Sequence, residues 1–505
     1  MLAILCTLIG AVGVSFVVAA GDPKSEETTR LANADGELDL VILNGRVMDP
    51  ETGLDAVRHV GVRDGSIAYV GNETISAAHV IDATDLVVAP GFIDLNNHDM
   101  GPEHFRQKAS DGVTTAVNLE SAAVYVDDWY AAHQGNALIH YGVGFDHGGA
   151  RLVAAGVPLE KIERGQVSPV QGPEVKDVER RALTDDELAR VRDLANAALR
   201  RGALAVAIGP EYQPGTPHSE VLELFRVAAA HGTFVFTHVR DWDATRDYDQ
   251  IYEVLGASTI SGAPVHVTHM NSSGGPYAER FVEFVAAARE RGVDITTDGY
   301  PYTAGLTFIE SAMFDDWESW SDERFQMYEW PLTNERLTRE TFGRYRAEGG
   351  LVTIHWMDEA WVRAVIAHPI AMIASDGAWD GGRGHPRGAG TYARVLGRYV
   401  REAELLPLMD ALRKMTLMPA RRLETRVPEM RRKGRLQVGA DADITIFDPD
   451  TVLDRATYAE PTLPSAGIHH VLVRGVAVVR DGEVVEGVTP GRPIRGPRET
   501  SVTGY

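Results

Sequence analysis

Four side chains able to bind a metal ion or move a proton, His238, His269, Asp298 and Asp376, each close a strand-like run in this 505-residue chain. The runs are Phe234–His238, Val265–His269, Val293–Asp298 and Ile370–Asp376. When parallel strands close into a barrel, the residues at their C-terminal ends converge on one rim. Imidazoles and carboxylates gathered there suit a divalent cation and general acid–base chemistry. His266 shares a strand with His269 but lies three residues away, so it faces the other side of the sheet and reads as structural.

The elements that must position these groups alternate helix and strand. Helix Ser219–Ala230 is stopped by Gly232, helix Ala278–Arg291 by Gly292, and helix Asp358–Ala367 leads past Pro369 into the last run. That rhythm predicts a parallel sheet wrapped by helices. The two ends of the chain differ from the middle. Leu38–Ile81 reads as short alternating strands with turns expected at Asn44-Gly45 and Asp64-Gly65; Ala442–Phe447 and His470–Val479 repeat the texture, with a turn at Asp481-Gly482. The fold class expected is α/β: a (β/α)8 TIM-like barrel over 89–431, with a small composite β domain from 38–88 and 432–490 and a tail at 491–505. Ser311–Gly350 interrupts the barrel rhythm with three tryptophans and no clear strand. It is expected to be an insertion at the active-site mouth, either a lid or a surface decoration.

Composition narrows the function. Apolar residues make up 44% and charged residues 24%, ordinary for a folded protein, and the net charge of −23 with no basic stripe argues against nucleic acid. The single cysteine, Cys6, excludes disulfides and a cysteine zinc site from the mature fold, so a metal must use histidine and carboxylate. Cys6 lies in the apolar stretch Met1–Ala20, which has small residues at its end and no Lys or Arg. Export to the periplasm or medium behind a cleaved signal is expected, with an uncleaved membrane anchor as the alternative and a linker at 21–37.

Several segments resemble the amidohydrolase superfamily, most of all its N-acyl-D-amino-acid deacylases. VAPGFIDLNNH (Val88–His98) resembles the first barrel strand, with His98 at the second position of the paired histidines and Asn96 at the first. An amide oxygen is a poor ligand beside imidazole, so the metal position that this pair builds should be weak or vacant. GVTTAVNLE places Glu120 at the end of the second strand, and no lysine in Leu204–Tyr212 could supply a carboxylated ligand. The resemblance implies one divalent metal, with zinc the expected ion, held by Glu120, His238 and His269, and His98 beside a second position. It implies that Asp376, in IAMIASDGAW, takes a proton from the attacking water and passes it to the leaving nitrogen; a helix N-cap is the alternative role. GHPRGAGTYARVLGRYVRE makes Arg387 the expected clamp for a substrate carboxylate, or else a surface ion pair. DGYPYTAG offers Tyr300 and Tyr302 to substrate, and Asn271 stands where these relatives often carry a lysine. MTLMPARRL and GRLQVGADADITIFDP resemble the passage from barrel back to β domain, so the likeness spans Leu38 to Asp481.

The activity implied is metal-dependent hydrolysis of a linear amide in an N-acyl-D-amino acid, with a small-molecule substrate. A cyclic-amide hydrolase, an isoaspartyl-type dipeptidase and a non-catalytic binding protein on the same barrel are the alternatives. Sequencing the N-terminus of the native protein tests the export reading: a mature start beyond Ala20 is expected, and a start at Met1 overturns cleavage.

Overall fold

Short runs of β-branched and aromatic residues such as Val206–Ile208, Val235–Thr237 and Val265–Val267 are buried along their whole length, as strands covered on both faces must be. They are staves of an eight-stranded parallel sheet: β1 Phe92–Asp94, β2 Val113–Ala123, β3 His140–Asp146, β4 Val206–Ile208, β5 Val235–Thr237, β6 Val265–Val267, β7 Ile295–Gly299 and β8 Ala371–Ile373. The computed structural model describes residues 37–98, 100–157, 173–240 and 248–499. The expected signal or anchor at 1–20 lies outside them, as does nearly all of the expected linker. Among the described residues no helix is long and apolar enough to cross a membrane.

Each strand pairs with its neighbour in sequence, and Val206, Val235, Val265 and Ile295 lie at one level of the ladder. The barrel expected from the alternating pattern is therefore present, nearly closed, with single bridges near Asn97 and Gly377 across the gap between β1 and β8. The strands are shorter than predicted, so His238, His269 and Asp376 fall just past the last paired residue. Helices cover the outside by the usual apolar spacing: His218–Ala230 buries Val221, Leu224, Phe225 and Ala228. Glu359–Ala367 starts at Asp358, whose carboxylate accepts the Ala360 N–H at 2.7 Å.

A nine-stranded sheet is built from both ends of the chain. Val87–Pro90 pairs parallel with Leu38–Asp49 on one side and antiparallel with Ile444–Phe447 on the other. Asp64-Gly65 is a turn, as predicted, between strands Leu54–Arg63 and Ser66–Gly71. Asn44-Gly45 is not. Leu38–Asp49 runs straight through it as a single strand with a bulge, Asn44 in the left-handed region at φ 62°. Glycine follows because a Cβ at Gly45 would stand 2.4 Å from Val88 Cγ2.

The insertion also departs from expectation. Within Ser311–Gly350 lie two short strands, Tyr328–Trp330 and Glu335–Arg336, which join the flanking strands Ala304–Phe308 and Leu351–His355 in a four-stranded sheet. Its tryptophans are packing rather than chemistry: Trp320 stacks on Tyr328 at 5.2 Å and Trp330 on Tyr345 at 4.1 Å, inside a small aromatic core. The tail is used too. Pro493 bridges to Tyr141 on β3, and Tyr130 Oη donates to the Ile494 carbonyl at 2.6 Å.

Barrel and sheet are joined by a buried charge cluster. Asp443 accepts from Lys433 Nζ at 2.5 Å, from the Arg474 N–H at 2.8 Å and lies 3.2 Å from His140 Nε2 at the start of β3. Burial pushes its carboxyl up, but Lys433 and His140 outweigh burial and hold it far below the usual range. A carboxyl depressed in the folded state stabilises fully above its unfolded pKa of about 4 and loses that contribution as pH falls below it. Removing one partner of such a pair leaves the other charge buried, so Asp443→Ala is expected to cost ~3–5 kcal/mol in denaturant unfolding at neutral pH.

Candidate active site

Glu120 lies near the end of β2, where the strand faces the barrel axis, with little of its side chain exposed. Its Oε1 is 3.0 Å from His238 Nδ1 and 3.5 Å from His269 Nε2. Its Oε2 accepts from the Asn96 amide nitrogen at 2.7 Å and lies 3.8 Å from His98 Nε2. Asp376 completes the group: Oδ1 is 2.7 Å from His98 Nε2, and Oδ2 is 2.8 Å from an Arg387 guanidinium nitrogen. Glu120, His238 and His269 offer ligand atoms within 4.8 Å of one another, and so do His98, Glu120 and Asp376. The five residues expected from the sequence to bind metal or move protons are thus together, at the C-terminal rim.

Two of them sit in backbone conformations that L-residues seldom adopt, His269 at φ 35° and Asp376 at φ 52°. Each has its N–H fixed by a neighbouring strand. The His269 N–H donates to Asp298 Oδ1 at 2.6 Å, and the Asp376 N–H donates to the Asn96 carbonyl at 2.8 Å. Such strain persists only where the surroundings over-determine it, and it concentrates at functional sites. Asp298 is therefore a support and not a member of the rim cluster: its other oxygen takes His266 Nε2 at 2.9 Å, and it is buried beneath His269. His266 is structural, as expected from its place on the strand.

The imidazoles have defined partners. His269 Nδ1 is 2.9 Å from Ser272 Oγ and 3.1 Å from Ser273 Oγ, which turns Nε2 toward Glu120. His98 Nδ1 makes a short contact with Ser121 Oγ. Burial lowers the basicity of His269, but the Glu120 carboxylate outweighs it and lifts the group to about 9. Burial likewise pushes Glu120 up, while His269 and His238 hold it well below the usual carboxylate range. A buried anion set against two imidazoles is a pocket made for positive charge, and a carboxylate with two imidazoles is a fitting donor set for a divalent metal.

Asn96 fills the place of a histidine without acting as one. Its amide nitrogen also donates to Thr268 Oγ1 at 2.9 Å and approaches Asp376 Oδ1 at 3.5 Å. Ionised carboxylates only accept, so the amide must turn its nitrogen to them. The side-chain oxygen of Asn96, Oδ1, is buried with no hydrogen-bond partner among the described residues.

These groups open onto a cavity of about 610 Å³. The insertion and its flanks contribute a mixed wall in which Leu306, Phe308, Met313 and Ile354 are joined by Glu310 and Arg346. Arg387 lines the cavity but is 1% exposed, so it is not a surface ion pair; it opens helix Arg387–Arg394 with its guanidinium 4.5 Å from the Tyr300 ring centre. Its Nε and second terminal nitrogen have no hydrogen-bond partner among the described residues. Tyr300 lines the cavity as expected. Tyr302 and Asn271 do not. Tyr302 is buried against the Arg394 guanidinium at 4.5 Å, and Asn271 is spent on the Tyr300 backbone, donating to its carbonyl at 3.2 Å and accepting its N–H at 3.3 Å. Tyr212, whose ring lies 4.7 Å from His238, was missed from the sequence: it follows β4 by four residues, past the strand end where a ligand is sought, and an aromatic there carries no ligand pattern.

A sequence model described as amidohydrolase family matches residues 276–479. The chain is 34% identical to N-acyl-D-glutamate deacylase of Alcaligenes xylosoxydans xylosoxydans, covering 93% of this chain and 98% of that protein. It is 31% identical to the D-aminoacylase of the same organism, covering 87% and 94%. The crystal structure of N-acyl-D-glutamate deacylase from Bordetella bronchiseptica, complexed with zinc and a phosphonate mimic of the tetrahedral intermediate, superposes with a TM-score of 0.76 at 30% identity, over 91% of this chain and 100% of that one.

Proposed function

The chain belongs to the amidohydrolase family, and from that premise we propose that it hydrolyses the linear amide of an N-acyl-D-amino acid to a carboxylic acid and a free D-amino acid. The observation that carries the reading is the placement of Asp376, with one oxygen beside the His98 and Glu120 cluster and the other on a buried arginine. The D configuration and the acyl-amino-acid class are supported by what the named relatives act on.

Glu120, His238 and His269 would hold one divalent ion, which we assign as zinc from the donor set and from the zinc in the related crystal structure. When bound, it supplies Lewis acidity to the amide carbonyl and to water. The remaining work falls to the protein. Asp376 takes the proton of the attacking water on its carboxylate and returns it to the amide nitrogen, which leaves only when protonated. His98 and Arg387, one on each oxygen, aim that carboxylate. Arg387 supplies the positive charge for the substrate carboxylate at the cavity wall, and its packing on Tyr300 fixes the plane of the guanidinium. Asn271 is turned away from the cavity, so Arg387 is the arginine placed beside Asp376 to meet that carboxylate. The apolar residues among the insertion's flanks, Leu306, Phe308 and Ile354, offer surface to the remainder of the substrate.

The direct test is a screen of zinc-replete protein on N-acyl-D-amino acids, their L enantiomers, dipeptides and cyclic ureides. Turnover confined to N-acyl-D-amino acids is expected, and turnover confined to another class replaces this reading. Metal analysis of the purified protein should give about one divalent ion per chain, whereas none would favour a non-catalytic binding protein. Asp376→Asn is expected to keep that ion and lower kcat by roughly 10²- to 10⁴-fold, because the amide cannot return a proton. Arg387→Met should act differently, raising KM for acyl-amino acids far more than for small neutral amides while lowering kcat for both, because Asp376 loses one of the partners that aim it, measured by steady-state kinetics.

A further inference from the structure

Across the gap between β1 and β8, side chains carry most of the connection. Lys108, on helix Pro102–Ser110, is 1% exposed, and its Nζ donates to Asp94 Oδ2 at 2.8 Å and to Ser375 Oγ at 2.5 Å. The other oxygen of Asp94 accepts the N–H groups of Asn96, at 3.2 Å, and of Ser375, at 3.0 Å. Ser375 Oγ in turn donates to the Asn96 carbonyl at 3.2 Å and accepts the Gly377 N–H at 3.1 Å. With one bond given and two received, the hydroxyl has used its full capacity.

A fully buried lysine is rare, and as a device for stability alone it is poor, since an apolar pair of the same volume serves about as well. What distinguishes this one is where its network ends. Ser375 and Gly377 flank Asp376, both are tied to the cluster, and the Asp376 N–H goes to the same Asn96 carbonyl that Ser375 holds. Asp376 is thereby kept in its left-handed conformation, and Asn96, which directs Glu120, is fixed by the same bonds.

We propose that Lys108 is a positioning residue for the hydrolytic reaction: acting through Asp94 and Ser375, it sets the backbone of Asp376 so that the carboxylate stands between His98 and Arg387. The inference rests on the reading of Asp376 as the proton-transfer group. Nothing in it requires Lys108 to meet the substrate.

Ser375→Ala removes the hydroxyl bridge from Lys108 to the Asn96 carbonyl and the Gly377 N–H on either side of Asp376 while leaving the Lys108–Asp94 pair, and Lys108→Met removes its source. For both, kcat is expected to fall by about tenfold or more, since displacing a reacting group by an ångström costs on the order of 100-fold. KM and metal content of Ser375→Ala should stay close to those of the parent, with the protein folded at a melting temperature lowered by a few degrees. Should Lys108→Met fail to fold, Ser375→Ala decides alone. Placed in an Asp376→Asn background, Ser375→Ala should add no further loss of residual turnover, because its effect passes through the missing carboxylate. An unchanged kcat in Ser375→Ala, or a loss that simply multiplies with that of Asp376→Asn, overturns the proposal. Full turnover in Asp376→Asn alone would instead remove the proton-transfer reading on which it rests.

Discussion

Glu120 is a carboxylate taken out of water with no lysine or arginine paired to it among the described residues, and the barrel mouth is arranged around that fact. A buried anion is tolerated only when its oxygens are met by donors or cations. Here one oxygen meets His238 and His269, and the other meets Asn96 and His98. Asn96 and His98 follow β1, His238 follows β5 and His269 follows β6, so satisfying a single charge draws three strands into one geometry. The same requirement makes the pocket receptive to a divalent cation, which meets the carboxylate's demand more completely than protons on imidazole do.

The rim achieves this with irregular backbone. Had β6 and β8 continued in extended form, alternation would have turned successive side chains to opposite faces. Left-handed turns at His269 and Asp376 break the alternation and redirect both groups toward the axis. A third such residue, Ala122 at φ 52°, follows Glu120 by two positions, and its N–H is held by Asn118 Oδ1 at 2.8 Å. In all three cases the conformation is stabilised by a bond from the residue's own N–H to a buried acceptor, which is why the supporting side chains, Asp298 and Asn118, carry polarity so deep in the fold.

Much of this was legible in the sequence, and what was not has a physical reason. The alternation of helix and strand revealed the barrel, and histidines or acids at strand ends revealed the rim, because both follow from local periodicity. Asp298 misled, since a carboxylate at a strand end has the same appearance whether it meets a ligand or a backbone N–H. Asn271 and Tyr302 misled for a related reason: a motif places a residue near a site without saying which way its side chain turns. The bulge at Asn44-Gly45 looked like a hairpin because both require a left-handed residue. Lys108 gave no signal at all, since a lone lysine on a short helix reads as exposed until the packing is seen.

The sheet that Val87–Pro90 completes draws one neighbour from the chain's beginning and the other from near its end. During synthesis, the early strands therefore emerge from the ribosome with an open edge and wait for more than 350 residues before Ile444–Phe447 arrives to cover it. Contacts of such long range form late and slowly. A truncation lacking Ile444–Phe447 would leave that edge unpaired and open to aggregation however well the rim itself were formed.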